Sequence, residues 1–233
     1  MTAIPPNRYV IIVAGGAGNR MQTATPKQFL KLNGKPIVMH SIDKFASSGL
    51  NPEIILVIKK EQHEYWKQLC SEHNFTTPHK LAEGGETRFH SVKNGLFHIK
   101  GEGIVGIHDA VRPLVNPKTI VTAFKAAEMY GNAVPAIPLN DSIRQIDSTK
   151  SLAVDRSRFC SVQTPQCFTT QILKKAYTKE FKNQFTDDAT LVESTGEKIH
   201  LIDGTPDNIK ITTPLDLAIA EALLVYKPPV REK

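Results

Sequence analysis

The segment Tyr9-Val10-Ile11-Ile12-Val13-Ala14-Gly15-Gly16-Ala17-Gly18-Asn19-Arg20-Met21 joins an apolar run to a glycine-rich loop. Residues 9–14 are largely β-branched and almost free of polar side chains, the composition of a strand covered on both faces. The glycines that follow let the backbone approach a ligand closely and turn its N–H groups toward phosphate oxygens. Strand-length runs recur at 53–58, 104–108 and 133–137, with weaker ones at 80–81 and 199–202. Helix-length segments at 38–48, 61–73, 88–99, 117–130 and 215–225 lie between or after them. That alternation predicts an α/β fold, a doubly wound, mostly parallel sheet with helices on both faces.

Residues 140–168 interrupt the rhythm. Ser142-Ile143-Arg144-Gln145-Ile146 alternates polar and apolar, and no helical period follows it. The reading is a two-stranded arm that projects from the sheet. An isolated hairpin is marginally stable in water, so a partner subunit is expected to cover the arm. The proline-rich, charged tail at 227–233 is expected to fray.

Composition narrows the function classes. The chain has 233 residues, 40% hydrophobic and 22% charged, which suits a folded globule rather than a disordered chain. No apolar stretch reaches membrane-spanning length and the first residues lack a signal-peptide pattern, so a soluble, cytoplasmic protein without a membrane partner is expected. Cys70, Cys160 and Cys167 form no C-x-x-C pair and leave one odd, the arithmetic of reduced thiols. Lys and Arg number 29 against 23 Asp and Glu, a net +6 that favours anionic partners. The cations are dispersed and aromatics make up 7%, which argues against nucleic acid and for small phosphates.

Both standard phosphate-loop fingerprints fail. A dinucleotide site needs a third glycine opening a helix and an acid after the next strand, yet Met21 stands at the first position and Lys59-Lys60 at the second. A mononucleotide P-loop needs Gly-Lys before Ser or Thr, whereas Gly34-Lys35 precedes Pro36. What remains is a glycine loop followed by two cations, Arg20 and Lys27.

Followed along the chain, the motifs form an ordered series. After residues 14–21 come Thr25-Pro26-Lys27-Gln28-Phe29-Leu30, Gly34-Lys35-Pro36-Ile37-Val38-Met39-His40-Ser41-Ile42, Gly84-Gly85-Glu86-Thr87-Arg88-Phe89-His90-Ser91-Val92 and His108-Asp109-Ala110-Val111-Arg112-Pro113. Asp141-Ser142-Ile143, Gln163-Thr164-Pro165-Gln166, Thr186-Asp187-Asp188-Ala189 and Asp207-Asn208-Ile209-Lys210-Ile211-Thr212 complete it. The series resembles the cytidylyltransferases that act on 2-C-methyl-D-erythritol 4-phosphate, over roughly residues 9–225. The resemblance implies a Rossmann-like fold of nucleotidyltransferase type, spanning 1–233 as one domain, whose arm at about 140–168 serves dimerisation. It implies CTP and a sugar-alcohol phosphate as partners, Mg2+ or another divalent cation as cofactor, and a homodimer with arm exchange at the active site.

Cytidylyl transfer joins two polyanions, so it calls for positioned cations and a metal rather than a covalent nucleophile. By resemblance Arg20 and Lys27 stabilise the pentavalent phosphorus, and the backbone of Ala14, Gly15, Gly16 and Gly18 wraps the triphosphate. Gly85, Glu86 and Ser91 face the base, with Arg88 bracing their loop. Asp109 serves the metal and the substrate hydroxyls, with Arg112 and Thr164 near the acceptor. Ser142 and Arg156, on the arm, complete the partner's site, Arg156 gripping the acceptor phosphate with Arg158 as its competitor. Lys210, expected on a late strand, reaches the reacting phosphates. His108 is expected to pack rather than to act as a base, and Cys160 likewise to pack.

Three positions depart from the family pattern: Gly15 replaces an alanine, Ser142 a threonine, and Phe159-Cys160 stands where Leu-Trp is common. None removes a charge that the chemistry needs. Ribitol 5-phosphate cytidylyltransferases carry many of the same strings and form the nearest alternative. A non-catalytic nucleotide sensor is the distant one, and intact Arg20, Lys27, Asp109 and Lys210 argue against it.

Overall fold

The computed structural model describes residues 6–15 and 25–226. Its strands are β1 (Asn7–Val13), β2 (Lys31–Leu32), β3 (Lys35–Pro36), β4 (Glu53–Ile58), β5 (Lys80–Glu83), β6 (Gly103–Asp109), β7 (Asn132–Pro138), β8 (Arg144–Asp147), β9 (Lys150–Ala153), β10 (Cys160–Val162), β11 (Gln166–Thr169) and β12 (Leu201–Asp203). The helices are α1 (Ile37–Ala46), α2 (His63–Glu72), α3 (Arg88–Leu96), α4 (Pro117–Tyr130), α5 (Thr170–Ala176), α6 (Asp188–Glu193) and α7 (Pro214–Val225).

An eight-stranded sheet runs in the order β10-β7-β11-β6-β1-β4-β5, with β12 beside β7. Strand β1 pairs in parallel with both β4 and β6, β4 with β5, and β12 with β7. Strand β11 is reversed against both of its neighbours. The doubly wound expectation therefore holds, with α1, α2 and α4 on one face and α3, α5 and α6 on the other. Because strand side chains alternate, Val10 and Ile12 join the first core, while Tyr9 and Ile11 join the second.

Local signals set several boundaries sharply. Helix α4 starts at Pro117 behind the Asn116 cap and ends at Gly131 in the left-handed region, φ 86°, matching the span read from sequence. Thr213 and Asp216 form a capping box at the start of α7.

The arm is shorter than expected. Strands β8 and β9 form a hairpin outside the main sheet, but residues 160–162 return to it as β10 and residues 166–169 lie within it as β11. Burial accounts for β11, where Cys167 joins one core and Phe168 the other, while the residues of β10 stay exposed and are held by pairing with β7. Lys210 lies outside any strand, in chain without regular structure, tied to the body where the Ile211 amide donates to the Val111 carbonyl at 2.9 Å. Cys160 is exposed on β10, not packed as expected. No helix among the described residues is long and apolar enough to cross a membrane.

Candidate active site

Strand order reverses between β1 and β6, the place where open parallel sheets leave a crevice at the carboxyl ends of their strands. Val13 and Asp109 are register partners there. The Ala110 amide donates to the Val13 carbonyl at 3.1 Å, and the Ala14 amide to the Val57 carbonyl at 2.8 Å, locking the rim of the crevice.

The crevice has two lobes. Ala14, Gly15, Lys27, Lys59, Glu86 and Ser91 line the first, beside the glycine loop. Arg112, Gln163, Thr164, Thr186 and Asp187 line the second, below the base of the arm. Arg88, Asp109 and Lys210 are common to both and form the wall where the lobes meet.

That wall is an electrostatic cluster. Lys210 Nζ is 2.9 Å from Asp109 Oδ2, Arg112 Nε is 3.5 Å from the same oxygen, and Arg88 Nε is 3.5 Å from Oδ1. Burial by itself would raise the Asp109 pKa, but Arg88, Lys210 and Arg112 together hold it well below the usual carboxylate range. Arg88 also pairs with Asp188, Nη2 to Oδ2 at 2.6 Å, and Tyr177 donates its hydroxyl to the other oxygen at 2.6 Å. Asp188 is wholly buried. The Arg88 pKa is raised, burial being outweighed by Asp188 and Asp109, so its guanidinium stays charged. Burial holds the His108 imidazole neutral, its pKa lowered to about 4.

The expected site residues divide into groups. Lys27, Glu86, Arg88, Asp109, Arg112 and Lys210 converge on the crevice, as do Ala14 and Gly15. Gly16, Gly18 and Arg20 lie outside the described residues. Gly85 and Ser91 serve the loop itself: the Gly85 amide donates to Ser91 Oγ at 3.1 Å, and Ser91 Oγ donates to the Thr87 carbonyl at 3.0 Å. A Cβ at position 85 would fall 2.4 Å from His90 Cβ, which explains the glycine there. Arg88 braces the acidic wall through Asp188 and Asp109 rather than the base-side loop. Thr164 keeps its hydroxyl inside the protein, on His108 and the Asp109 amide, so it orients the site more than it offers itself to substrate. Ser142 and Arg156 line neither lobe of their own chain, and Arg156 donates through Nη1 to the Asn140 carbonyl at the base of the arm.

Sequence reading missed Asp188, Tyr177, Asn208, Lys59 and Thr186 as site residues. Asp188 was visible inside a family string, but its duty depends on Arg88, a hundred positions away. Lys59 could have been found, since it immediately follows a buried strand whose carboxyl end must face the crevice.

Comparisons with known proteins agree with this geometry. The family model described as IspD, 2-C-methyl-D-erythritol 4-phosphate cytidylyltransferase, matches residues 9–226. The chain is 48% identical over 218 residues to the 2-C-methyl-D-erythritol 4-phosphate cytidylyltransferase of Phocaeicola vulgatus, covering 94% of this chain and 100% of that one. It is 51% identical over 220 residues to the enzyme of the same name from Azobacteroides pseudotrichonymphae, covering 93% and 98%. Among solved structures, the 4-diphosphocytidyl-2C-methyl-D-erythritol synthase of Anaerococcus prevotii superposes with a TM-score of 0.80 at 28% identity, covering 94% of this chain and 96% of that one. The bifunctional IspDF of Campylobacter jejuni superposes at 0.77 and 28% identity, covering 91% of this chain and 53% of that one. With a mostly parallel sheet, a two-lobed charged crevice and a match of this extent, the chain belongs to the 2-C-methyl-D-erythritol 4-phosphate cytidylyltransferase family.

Proposed function

We propose that the protein transfers the cytidylyl group of CTP to 2-C-methyl-D-erythritol 4-phosphate, giving 4-diphosphocytidyl-2-C-methyl-D-erythritol and pyrophosphate in the non-mevalonate isoprenoid pathway. The observation that carries this reading is the pair of lobes meeting at Asp109, Lys210 and Arg88. Two anionic substrates seated there face each other across one charged wall. Family membership supplies the chemical identity of the pair. Free thiols at Cys70, Cys160 and Cys167 suit a cytoplasmic setting.

In the transfer, an acceptor phosphate oxygen attacks the α-phosphorus in line, and the new P–O bond forms as the bond to pyrophosphate breaks. The attacking monoester is already ionised, so no side chain has to take a proton from it. Negative charge accumulates on the α-phosphoryl oxygens, and fixed cations aimed there stabilise the transition state more than the ground state. Lys27 approaches from the nucleotide lobe and Lys210 from the shared wall. Arg20 is assigned the same duty by resemblance. By the same resemblance the glycine loop takes the triphosphate; Ala14 and Gly15 line that lobe with Glu86, which meets the cytosine, and Asp109 and Arg112 hold the acceptor.

A divalent cation fits the donor set through one protein ligand. Asp109, in the wall shared by the two lobes, is the carboxylate that would hold it. Lys210 holds Oδ2 at 2.9 Å, whereas the one contact to Oδ1, from Arg88, is as long as 3.5 Å, which leaves Oδ1 room for a further partner. Mg2+ commonly takes one or two carboxylates and fills its shell with water and phosphate oxygens. When bound it would neutralise phosphate charge beside Lys27 and Lys210.

The arm supports a homodimer. Ile146 and Leu152 on the hairpin are 78% and 66% exposed, and Phe159 and Val162 at its base are also exposed. Apolar side chains displayed on a two-stranded ribbon need cover. Arg156 has no place in its own crevice, which suits a role in the partner's site, completing it from across the dimer axis. Arg156→Ala is expected to raise the acceptor KM while the KM for CTP holds; an unchanged acceptor KM would pass the role to Arg158. Mixing Arg156→Ala with Lys27→Ala protomers then tests the exchange. Random pairing is expected to restore about a quarter of wild-type activity if the arm crosses over, and none if it serves its own chain.

The primary test is pyrophosphate release from CTP and Mg2+, with 2-C-methyl-D-erythritol 4-phosphate and D-ribitol 5-phosphate assayed side by side and UTP and ATP as controls. Release with CTP and the methylerythritol phosphate alone is expected. Release with ribitol phosphate would reassign the acceptor, and silence from a folded, CTP-binding protein would favour a nucleotide sensor.

A further inference from the structure

His108 has no duty in the transfer just described, yet both of its ring nitrogens are engaged. It lies wholly buried in β6, edge-on to the Phe45 ring at 4.9 Å. Nε2 is 3.2 Å from the Arg112 carbonyl oxygen, and Nδ1 is 3.0 Å from Thr164 Oγ1. A carbonyl can only accept, so the proton of the imidazole resides on Nε2 and Nδ1 is an acceptor. The Thr164 hydroxyl therefore donates to Nδ1, and its oxygen accepts the Asp109 amide N–H at 3.1 Å.

The bonds continue until they close. Asn208 donates through Nδ2 to the Thr164 carbonyl at 2.9 Å, and Arg112 donates through Nη1 to the Asn208 carbonyl at 2.7 Å. The Arg112 carbonyl then returns to His108. We propose that this closed ring of His108, Thr164, Asn208 and Arg112 is the positioning device of the acceptor lobe, with His108 and Thr164 setting the places of Asp109, Arg112 and Lys210. The inference rests on the proposed transfer, because that reaction defines what must be positioned.

The physical need is clear from the chain path. Asp109 ends a strand, Arg112 follows a tight turn in which its amide donates to the Asp109 carbonyl at 3.0 Å, and Lys210 sits two residues beyond Asn208 in chain without regular structure. Backbone bonds from Ala110 to Val13 and from Ile211 to Val111 fix the chain on either side, and the ring adds the links that set the three segments relative to one another. Misplacement by about 1 Å in a transfer site costs on the order of a hundredfold. The ring joins the three segments through two buried bonds, at Thr164 with His108 and with Asn208, and two part-buried ones at Arg112; the less water reaches such a bond, the less its strength is diluted.

The test compares Thr164→Val, which keeps shape and removes the hydroxyl, with Thr164→Ser, which keeps the hydroxyl. Pyrophosphate release is measured per folded enzyme, with separate KM values for CTP and 2-C-methyl-D-erythritol 4-phosphate. Thr164→Val is expected to lower kcat/KM for the acceptor about tenfold or more with the KM for CTP little changed, and Thr164→Ser to stay within about threefold of wild type. A Thr164→Val enzyme that matches wild type would overturn the proposal, as would an equal loss in Thr164→Ser. If Thr164→Val does not fold, His108→Gln, which can still donate to the Arg112 carbonyl, is read the same way. Independently of activity, the 15N shifts of His108 in the wild-type protein are expected to show the Nε2–H tautomer. An Nδ1–H tautomer would sink the ring. Inactive wild-type enzyme that nevertheless shows the Nε2–H form would count against the proposed reaction and not against the ring.

Discussion

Lys27→Ala is expected to lower turnover about a hundredfold or more while leaving the fold intact. The lysine opens a single 3-10 turn, Lys27–Phe29, whose other two residues are buried. Phe29 stacks near Trp66 at 6.2 Å and meets Tyr65 edge-on at 5.4 Å, and its amide donates to the Pro26 carbonyl at 2.9 Å. These anchors hold the backbone of residue 27 beside the nucleotide lobe that Lys27 lines, which places its charge where the phosphoryl oxygens of a bound triphosphate would gather. Ordering a charge beforehand is what makes such a cation effective, because no reorganisation is then needed during the reaction. Turnover should fall at saturating CTP and acceptor, with the melting temperature nearly unchanged. Lys27→Arg should recover part of the loss, since charge returns with different geometry. An undiminished rate in Lys27→Ala would remove the residue from the chemistry.

Arg88→Met is expected to damage both stability and turnover, by separable routes. Its guanidinium is the counter-ion of Asp188, which is wholly buried, and Asp188 also holds the buried Tyr177 hydroxyl. Removing one partner of a buried pair leaves the other charge uncompensated, at a cost of about 3 kcal/mol. For a chain of this size that corresponds to a fall in melting temperature of roughly 6–12 °C. Adding Asp188→Asn to Arg88→Met should recover part of that loss, because it removes the uncompensated buried charge and keeps an acceptor for the Tyr177 hydroxyl. Turnover should not recover, since Asp109 still lacks the cation 3.5 Å from its Oδ1. Measuring melting temperature and kcat on the single and double variants separates the two effects. Recovery of both together would show that Arg88 is structural alone.

Much of the fold was legible because the relevant physics is local. The apolar runs of β1, β4 and β6 leave no polar face, so they belong inside a parallel sheet, and Asn116-Pro117 and Gly131 bracket α4 at close to its full length. The candidate site was legible where a motif couples a strand end to a charged residue, as at His108-Asp109 and in the loop after β1. Pattern reading failed at β11, a four-residue strand with too few residues for a period to show, and it overextended the arm into β10 and β11 for the same reason. Nor did it show that the Ser91 and Thr164 hydroxyls, which line the two lobes, also bond within the protein, because a hydroxyl in a motif does not reveal which way it bonds.

Local pattern was therefore enough for the layered α/β architecture and for a crevice at the strand ends with Asp109 at its rim, and the family resemblance supplied Arg88, Arg112 and Lys210. Tertiary structure alone decided that Arg88 serves Asp188 and Asp109, that β11 enters the sheet reversed, and that His108, Thr164, Asn208 and Arg112 close a ring. The difference is one of range: burial and capping act on neighbours along the chain, whereas a buried hydrogen bond or ion pair takes whichever partner the packing brings within about 3 Å, however distant in sequence.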